Sequence, residues 1–189
     1  IQVLPATAYV SRSGAHVWPF DTEAHAATNF HEAIAAVFAD TESPGTVKVM
    51  PGIYGVANGL PAGTDHIVLL NRPVRLVGQG GDPTNTVIDG EHIRRILRMT
   101  SAGARVENLT LARGDNQCSG IVKGYGVEML AGTVSGCIIT NGWSPDAASP
   151  EAMVVVFGGQ IEHTEICGNR NGTIAPWIRS GPTVRMSDG

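Results

Sequence analysis

Two stretches of this chain repeat in register, and that repetition constrains the fold more than any other feature. "GVEMLAGTVSGCIITNG" (Gly126 to Gly142) superposes on "MVVVFGGQIEHTEICGN" (Met153 to Asn169) at an offset of 27 residues, pairing Leu130 with Phe157, Val134 with Ile161 and Ile139 with Ile166. One unit earlier, "ILRMTSAGARVENLTLARG" fits at an offset of 28, pairing Val106 with Val134, Leu109 with Cys137 and Leu111 with Ile139. A period of this size, built from short alternating strands and Gly-rich corners, is the signature of a solenoid whose coils cannot bury their inward side chains alone. The expected class is all-β, a right-handed parallel β-helix of about five to six coils, in which Val106, Val134 and Ile161 form one inward column and Leu111, Ile139 and Ile166 another.

Ahead of the repeats, Phe30, Ala33, Ile34, Val37 and Phe38 fall on one helical face, with Asn29 as N-cap and Glu32 placed to reach back in a capping box. A helix over about Phe30 to Ala39 is predicted, closed by "SPG" and serving as a lid on the first coil. Period-two segments follow at Val47 to Val49, Val74 to Leu76, Thr86 to Ile88, Ile96 to Met99 and Val106 to Leu111. Residues 1–28, with a strand at Ala8 to Ser11, read as a leader laid over the first coil. Residues 29–40 read as the capping helix and residues 45–189 as the coils, one structural domain overall.

Composition narrows the function classes. A net charge of -4, with 16% charged residues and no basic run, argues against a nucleic-acid partner or an anionic membrane surface. No apolar run is long enough for membrane insertion. Cys118, Cys137 and Cys167 carry no metal-ligand spacing and allow at most one internal disulfide, or pairing between chains, or simply burial as small hydrophobes.

The segments "AYVS", "NFHEAIAAV", "GTVKVMPGIY", "RPVRLVGQG", "TVIDG", "RVENLTLARG" and "VSGCIITNG" together resemble the pectate-lyase-like superfamily of right-handed parallel β-helices, over about Ala8 to Asn171. The resemblance implies a secreted bacterial protein, extracellular or at the cell surface. It does not choose among the lyases, glycoside hydrolases, esterases, adhesins and surface proteins of that superfamily. A lyase of this kind needs acidic residues grouped for Ca²⁺, so the outward columns matter. In register they read Glu107, Ser135 and Glu162; Asn108, Gly136 and His163; and Thr110, Ile138 and Glu165. Glu162, His163 and Glu165 are expected close together, with Glu107 roughly 10 Å away if coils stack at strand spacing.

Other ionisable groups, Asp65 with His66, Asp89 with Glu91, His92, Arg94 and Arg95, and Asp115 with Lys123, fall at predicted corners and read as turn formers. Asp89 and Asp115 could also form the carboxylate pair of a glycoside hydrolase. Asn141-Gly142 and Asn169 to Gly172 read as a short Asn ladder. The end, "GPTVRMSDG", looks like one more strand, so the coil is open there unless "TIAPWIRS" folds across it; a piece of a longer β-helix would read the same way.

The sequence is therefore read as a non-catalytic structural, adhesive or self-assembling, filament-like unit that needs no cofactor. Its expected self-association runs through the open end, with Cys118, Cys137, Cys167 and the outward Ile138 as assembly candidates. The alternative is a carbohydrate-active protein, a polysaccharide lyase, glycoside hydrolase or polysaccharide-binding module, using Glu107, Glu162, His163 and Glu165, with Ca²⁺ in the lyase case only.

Overall fold

A computed structural model of the chain describes residues 3–40, 42–59, 66–115, 125–144, 153–171 and 184–186. Strand β1 (Thr7–Val10) and helix α1 (Phe30–Ala36) come first. Then the chain passes repeatedly across three sheets: β2 (Gly45–Val49), β3 (Gly52–Tyr54) and β4 (His66–Leu70); β5 (Val74–Gly78), β6 (Thr86–Asp89) and β7 (Arg95–Met99); β8 (Arg105–Glu107), β9 (Thr110–Ala112) and β10 (Val127–Met129). The fourth pass is β11 (Thr133–Ser135), β12 (Ile138–Thr140), β13 (Trp143–Ser144) and β14 (Val154–Val156), and the last is β15 (Gln160–Glu162), β16 (Glu165–Cys167), β17 (Arg170–Asn171) and β18 (Val184–Met186). The first sheet runs β1-β2-β5-β8-β11-β15, the second β3-β6-β9-β12-β16 and the third β4-β7-β10-β14-β18, with a short β13-β17 pair beside them. All of these pairings are parallel, which makes the molecule an all-β parallel β-solenoid.

The expectation of five to six coils is corrected to about three turns. The passes beginning at β5, β8 and β11 have a neighbour on both sides in all three sheets, whereas the first and last passes are ends. Burial decides the difference, because an inward side chain is sealed only when a coil lies on each side of it.

The predicted columns are the observed ones. Ala8, Val47, Leu76, Val106, Val134 and Ile161 stack across the first sheet. Tyr54, Ile88, Leu111, Ile139 and Ile166 stack across the second. Val68, Leu97, Val127 and Val154 line the third. Those from the leader to the fourth pass are essentially sealed from water, while Ile161 and Ile166 are only partly buried.

One predicted strand is really two. Val106 to Leu111 breaks at Asn108, whose left-handed φ of 53° turns the chain from the first sheet to the second while Leu109 stays buried behind it. The same corner recurs at Gly136 (φ 60°) and His163 (φ 47°). Asn tolerates this region better than most residues, glycine best of all. The amide also repays the turn, because Asn108 Nδ2 donates to the Gly78 carbonyl of the preceding coil at 3.0 Å. A Cβ at Gly78 would sit 2.0 Å from the Asn108 carbonyl oxygen, so the coils can approach this closely only over glycine.

The helix is shorter than predicted. It ends at Ala36, because Val37 turns extended (φ -83°, ψ 142°), and Phe38 is half exposed instead of joining the buried face. Asn29 caps it as expected, its side chain accepting from the Glu32 N–H at 3.0 Å. Arg72 satisfies the other end, donating to the carbonyls of Ile34 at 3.3 Å and Val37 at 3.1 Å. Phe30 and Tyr54 meet at 5.4 Å between ring centroids, seating the helix on the first pass.

Candidate functional site

The outward residues singled out in the sequence keep their predicted register. Ser135 pairs with both Glu107 and Glu162, and Ile138 with both Thr110 and Glu165. Glu107 is held by Arg75 of the preceding coil, with Nε at 2.9 Å and a terminal guanidinium nitrogen at 2.5 Å from the same carboxylate oxygen. The hydrogen bond to Glu107 raises the Arg75 pKa. This pair is open to solvent on the arginine side, so it adds little stability but does occupy the carboxylate.

Glu162, His163 and Glu165 are all exposed on the last pass. The left-handed corner at His163 separates them, so Glu162 ends β15 in the first sheet and Glu165 begins β16 in the second. Between them the Thr164 hydroxyl donates to the Glu162 carbonyl at 2.8 Å and accepts from the Cys137 N–H at 3.3 Å, stapling two coils. Ile138 stands partly exposed on the outer face of the second sheet. Among the described residues no three His, Cys, Asp or Glu side chains are gathered to hold a metal ion.

Cys137 and Cys167 are both free thiols, and Cys118 lies outside the described residues. Burial pushes the Cys137 thiol up to about 11, the largest cause, against small opposing hydrogen bonds to the backbone around it. Its Sγ faces the Ser135 carbonyl at 3.3 Å, and Cys167 Sγ faces Thr140 Oγ1 at 3.6 Å. The expected Asn ladder is corrected: at the 27-residue offset Asn169 meets Gly142, whose N–H it accepts at 2.9 Å, so the amide satisfies the backbone of the coil before it. Its Nδ2 donates to the Ile139 carbonyl at 3.0 Å.

The corner from the second sheet to the third holds a richer group. Most other corners take few residues, such as 50–51, 108–109 and 130–132, whereas here the connections are uneven, spanning 55–65, 90–94, 113–126 and 141–153, the last interrupted by β13. Asp89, buried, accepts from Arg113 Nε at 2.8 Å and from a second guanidinium nitrogen, and also from the Glu91 N–H at 2.8 Å. Hydrogen bonding to Asp89 raises the Arg113 pKa. Glu91 and His92 both take left-handed φ, 54° and 53°, a cost of about 1–3 kcal/mol each that the surrounding contacts must offset. His92 meets Trp143 edge-on at 6.5 Å. Arg95, Asp115 and His66 are buried nearby and each is engaged. Asp89 is the turn former expected, since its side chain accepts the Glu91 N–H two residues on, and both it and Asp115 are also buried within the corner, while Asp65 and Lys123 lie outside the described residues. Adjacent on the outer face of the third sheet, Glu128 is buried with Arg98 Nε at 3.7 Å. The uneven length of these connections is the sequence signal that could have marked this corner.

The leader builds a third site, which no motif in the sequence marks. His16 (φ 55°) and Phe20 (φ 65°) are left-handed and bracket the turn Val17-Trp18-Pro19. Backbone bonds from Ala15 to Ala24 at 3.0 Å and from Val17 to His25 at 3.0 Å hold the two arms together. That turn presents His16 to the helix. Its Nδ1 accepts from the Thr28 N–H at 3.0 Å and lies 2.9 Å from Thr28 Oγ1, and its Nε2 stands 2.6 Å from Glu32 Oε2. The Glu32 carboxylate is thus turned to His16, and the reciprocal half of the expected capping box is not made. Beside this contact lies a shallow, open cavity of about 410 Å³ lined by His16, Trp18, Phe20, Glu32, Ala35 and Ala36.

Compared with protein families, with curated proteins and with solved structures, the chain matches none, so what its sites can do rests on its own residues.

Proposed function

We propose that this protein is a secreted or cell-surface structural unit, adhesive or self-associating, that acts through the surfaces of its solenoid and not by catalysis. The observation that supports this reading is the fading of the core along the axis. Val106 and Val134 are sealed where Ile161 is partly exposed, and Leu111 and Ile139 are sealed where Ile166 is partly exposed. At the opposite end the coil is closed by β1 and α1. Among the described residues the inward apolar columns are left partly open at the last pass and closed at the first, which favours pairing of two last coils about a two-fold axis, a closed contact, over the propagating head-to-tail filament, which would need α1 to move aside. The test is light scattering over a concentration series. A mass that doubles with concentration, and returns to that of one chain in Ile166→Lys with unchanged circular dichroism, supports the reading; a single-chain mass at every concentration removes self-association from it.

A second reading, a carbohydrate-active or polysaccharide-binding protein, draws on the corner where Asp89, Glu91, His92, Arg94, Arg113 and Trp143 gather. Polysaccharide retention that is lost in Trp143→Ala, or new ultraviolet absorbance from eliminative cleavage in the presence of Ca²⁺, would favour it over the structural one.

A further inference from the structure

The cavity in the leader belongs to neither reading, and we infer that it is a binding site for a small organic cation, an ammonium group carried on an apolar body. Four of its six lining residues, Trp18, Phe20, Ala35 and Ala36, are apolar, and Trp18 is 43% exposed. The polar lining is His16 and Glu32. Their hydrogen bonds set the charge of the site. Thr28 presents its backbone N–H to His16 Nδ1, so that nitrogen carries no proton and the ring is the neutral tautomer with its proton on Nε2, directed at Glu32. A doubly protonated ring would set N–H against N–H.

Glu32 therefore receives a hydrogen bond from His16 without receiving a positive charge from it. The other nearby nitrogen, His31 Nε2, is 4.0 Å away, at the limit of an ion pair. The cavity thus joins a carboxylate to two aromatic side chains, and each element selects for the same ligand. A cation is attracted by the carboxylate and by the exposed Trp18 indole, and an apolar body lies against Ala35 and the buried Phe20 and Ala36. A neutral apolar ligand would strip water from the carboxylate with nothing in return, and an anion would be repelled.

The experiment is calorimetric titration of the full chain with phenethylammonium and, separately, with phenethyl alcohol, which has the same ring and linker without the charge. Binding of the ammonium about tenfold or more tighter than the alcohol is expected, with the preference erased in Glu32→Gln, whose amide oxygen still accepts from His16 Nε2. Trp18→Ala should weaken both ligands. On the unaltered protein, raising the salt concentration should weaken the ammonium and leave the alcohol unmoved, a readout that does not depend on a variant folding. Equal affinities for the two ligands, a preference that survives Glu32→Gln, or no saturable binding of either overturns the inference.

Discussion

The two ends of the solenoid obey the same packing rule and come out differently. At the first pass, α1 and β1 lie across the coil, Arg72 ties the helix carbonyls, and Phe30, Val47 and Tyr54 are fully buried. At the last described pass, Ile161 and Ile166 hold the same inward positions as Val134 and Ile139 but remain partly exposed, while Gln160, Glu162 and Glu165 stand in water on strands β15 and β16. Strand propensity does not separate the inward positions at the two ends, since Val47, Tyr54, Ile161 and Ile166 are all strand-forming residues. The neighbour does: a coil's interior is as dry as what lies on either side of it. The exposed carboxylates at the last pass also suit edge strands, where charge discourages unregulated pairing.

The comparison can be broken most directly at the covered end. Phe30→Ala should cost about 3–5 kcal/mol in urea unfolding, because it empties the contact between the helix and the Tyr54 ring. A cost below about 1 kcal/mol would mean that the helix is an ornament and not a lid. Next in size is the contrast within one column. Leu111→Ala should cost about 2–5 kcal/mol, and Ile166→Ala less than about 2, although both stack on Ile139. Equal costs would show that the last pass is sealed by something beyond the described residues.

At neutral pH the smallest effect is none at all, from two groups that act only in alkali. Burial raises Tyr54, near the covered end, from 10.0 to about 12, and Cys137, in the fourth pass, from 9.0 to about 11. A group whose pKa is higher folded than unfolded contributes its stability fully below the unfolded value and loses it as pH rises through the folded one. Stability should therefore fall from about pH 9 toward pH 12. Cys137→Ala should flatten the earlier part of that fall and Tyr54→Phe the later part. A fall that neither variant alters would place its origin elsewhere.

The stacked columns are legible in the sequence because both signals are local. Alternation says which side chains face inward, and the offsets of 27 and 28 say which of them meet, so the pairs Val106–Val134–Ile161 and Leu111–Ile139–Ile166 required no knowledge of the turns. The Asn ladder failed for an equally local reason: a one-residue difference in alignment sets Asn169 on Gly142, where its amide serves the backbone. The turn at Asp89 is legible in the sequence and is made, but the pairing of Asp89 with Arg113 is not, because the partners lie 24 residues apart, a spacing that departs from the 27- and 28-residue repeat. The leader cavity was harder still. It depends on two non-glycine residues, His16 and Phe20, holding left-handed backbone that no propensity would assign them.

By itself the sequence determined the class of fold, the sheet register and the inward columns, since a solenoid writes its nearest-neighbour contacts into its period. Tertiary structure alone decided where the charged side chains found partners, where the helix stopped, and that His16 and Glu32 would meet beside a cavity. Those outcomes turn on corner conformations and on contacts across connections of unequal length, and neither leaves a periodic trace in the chain.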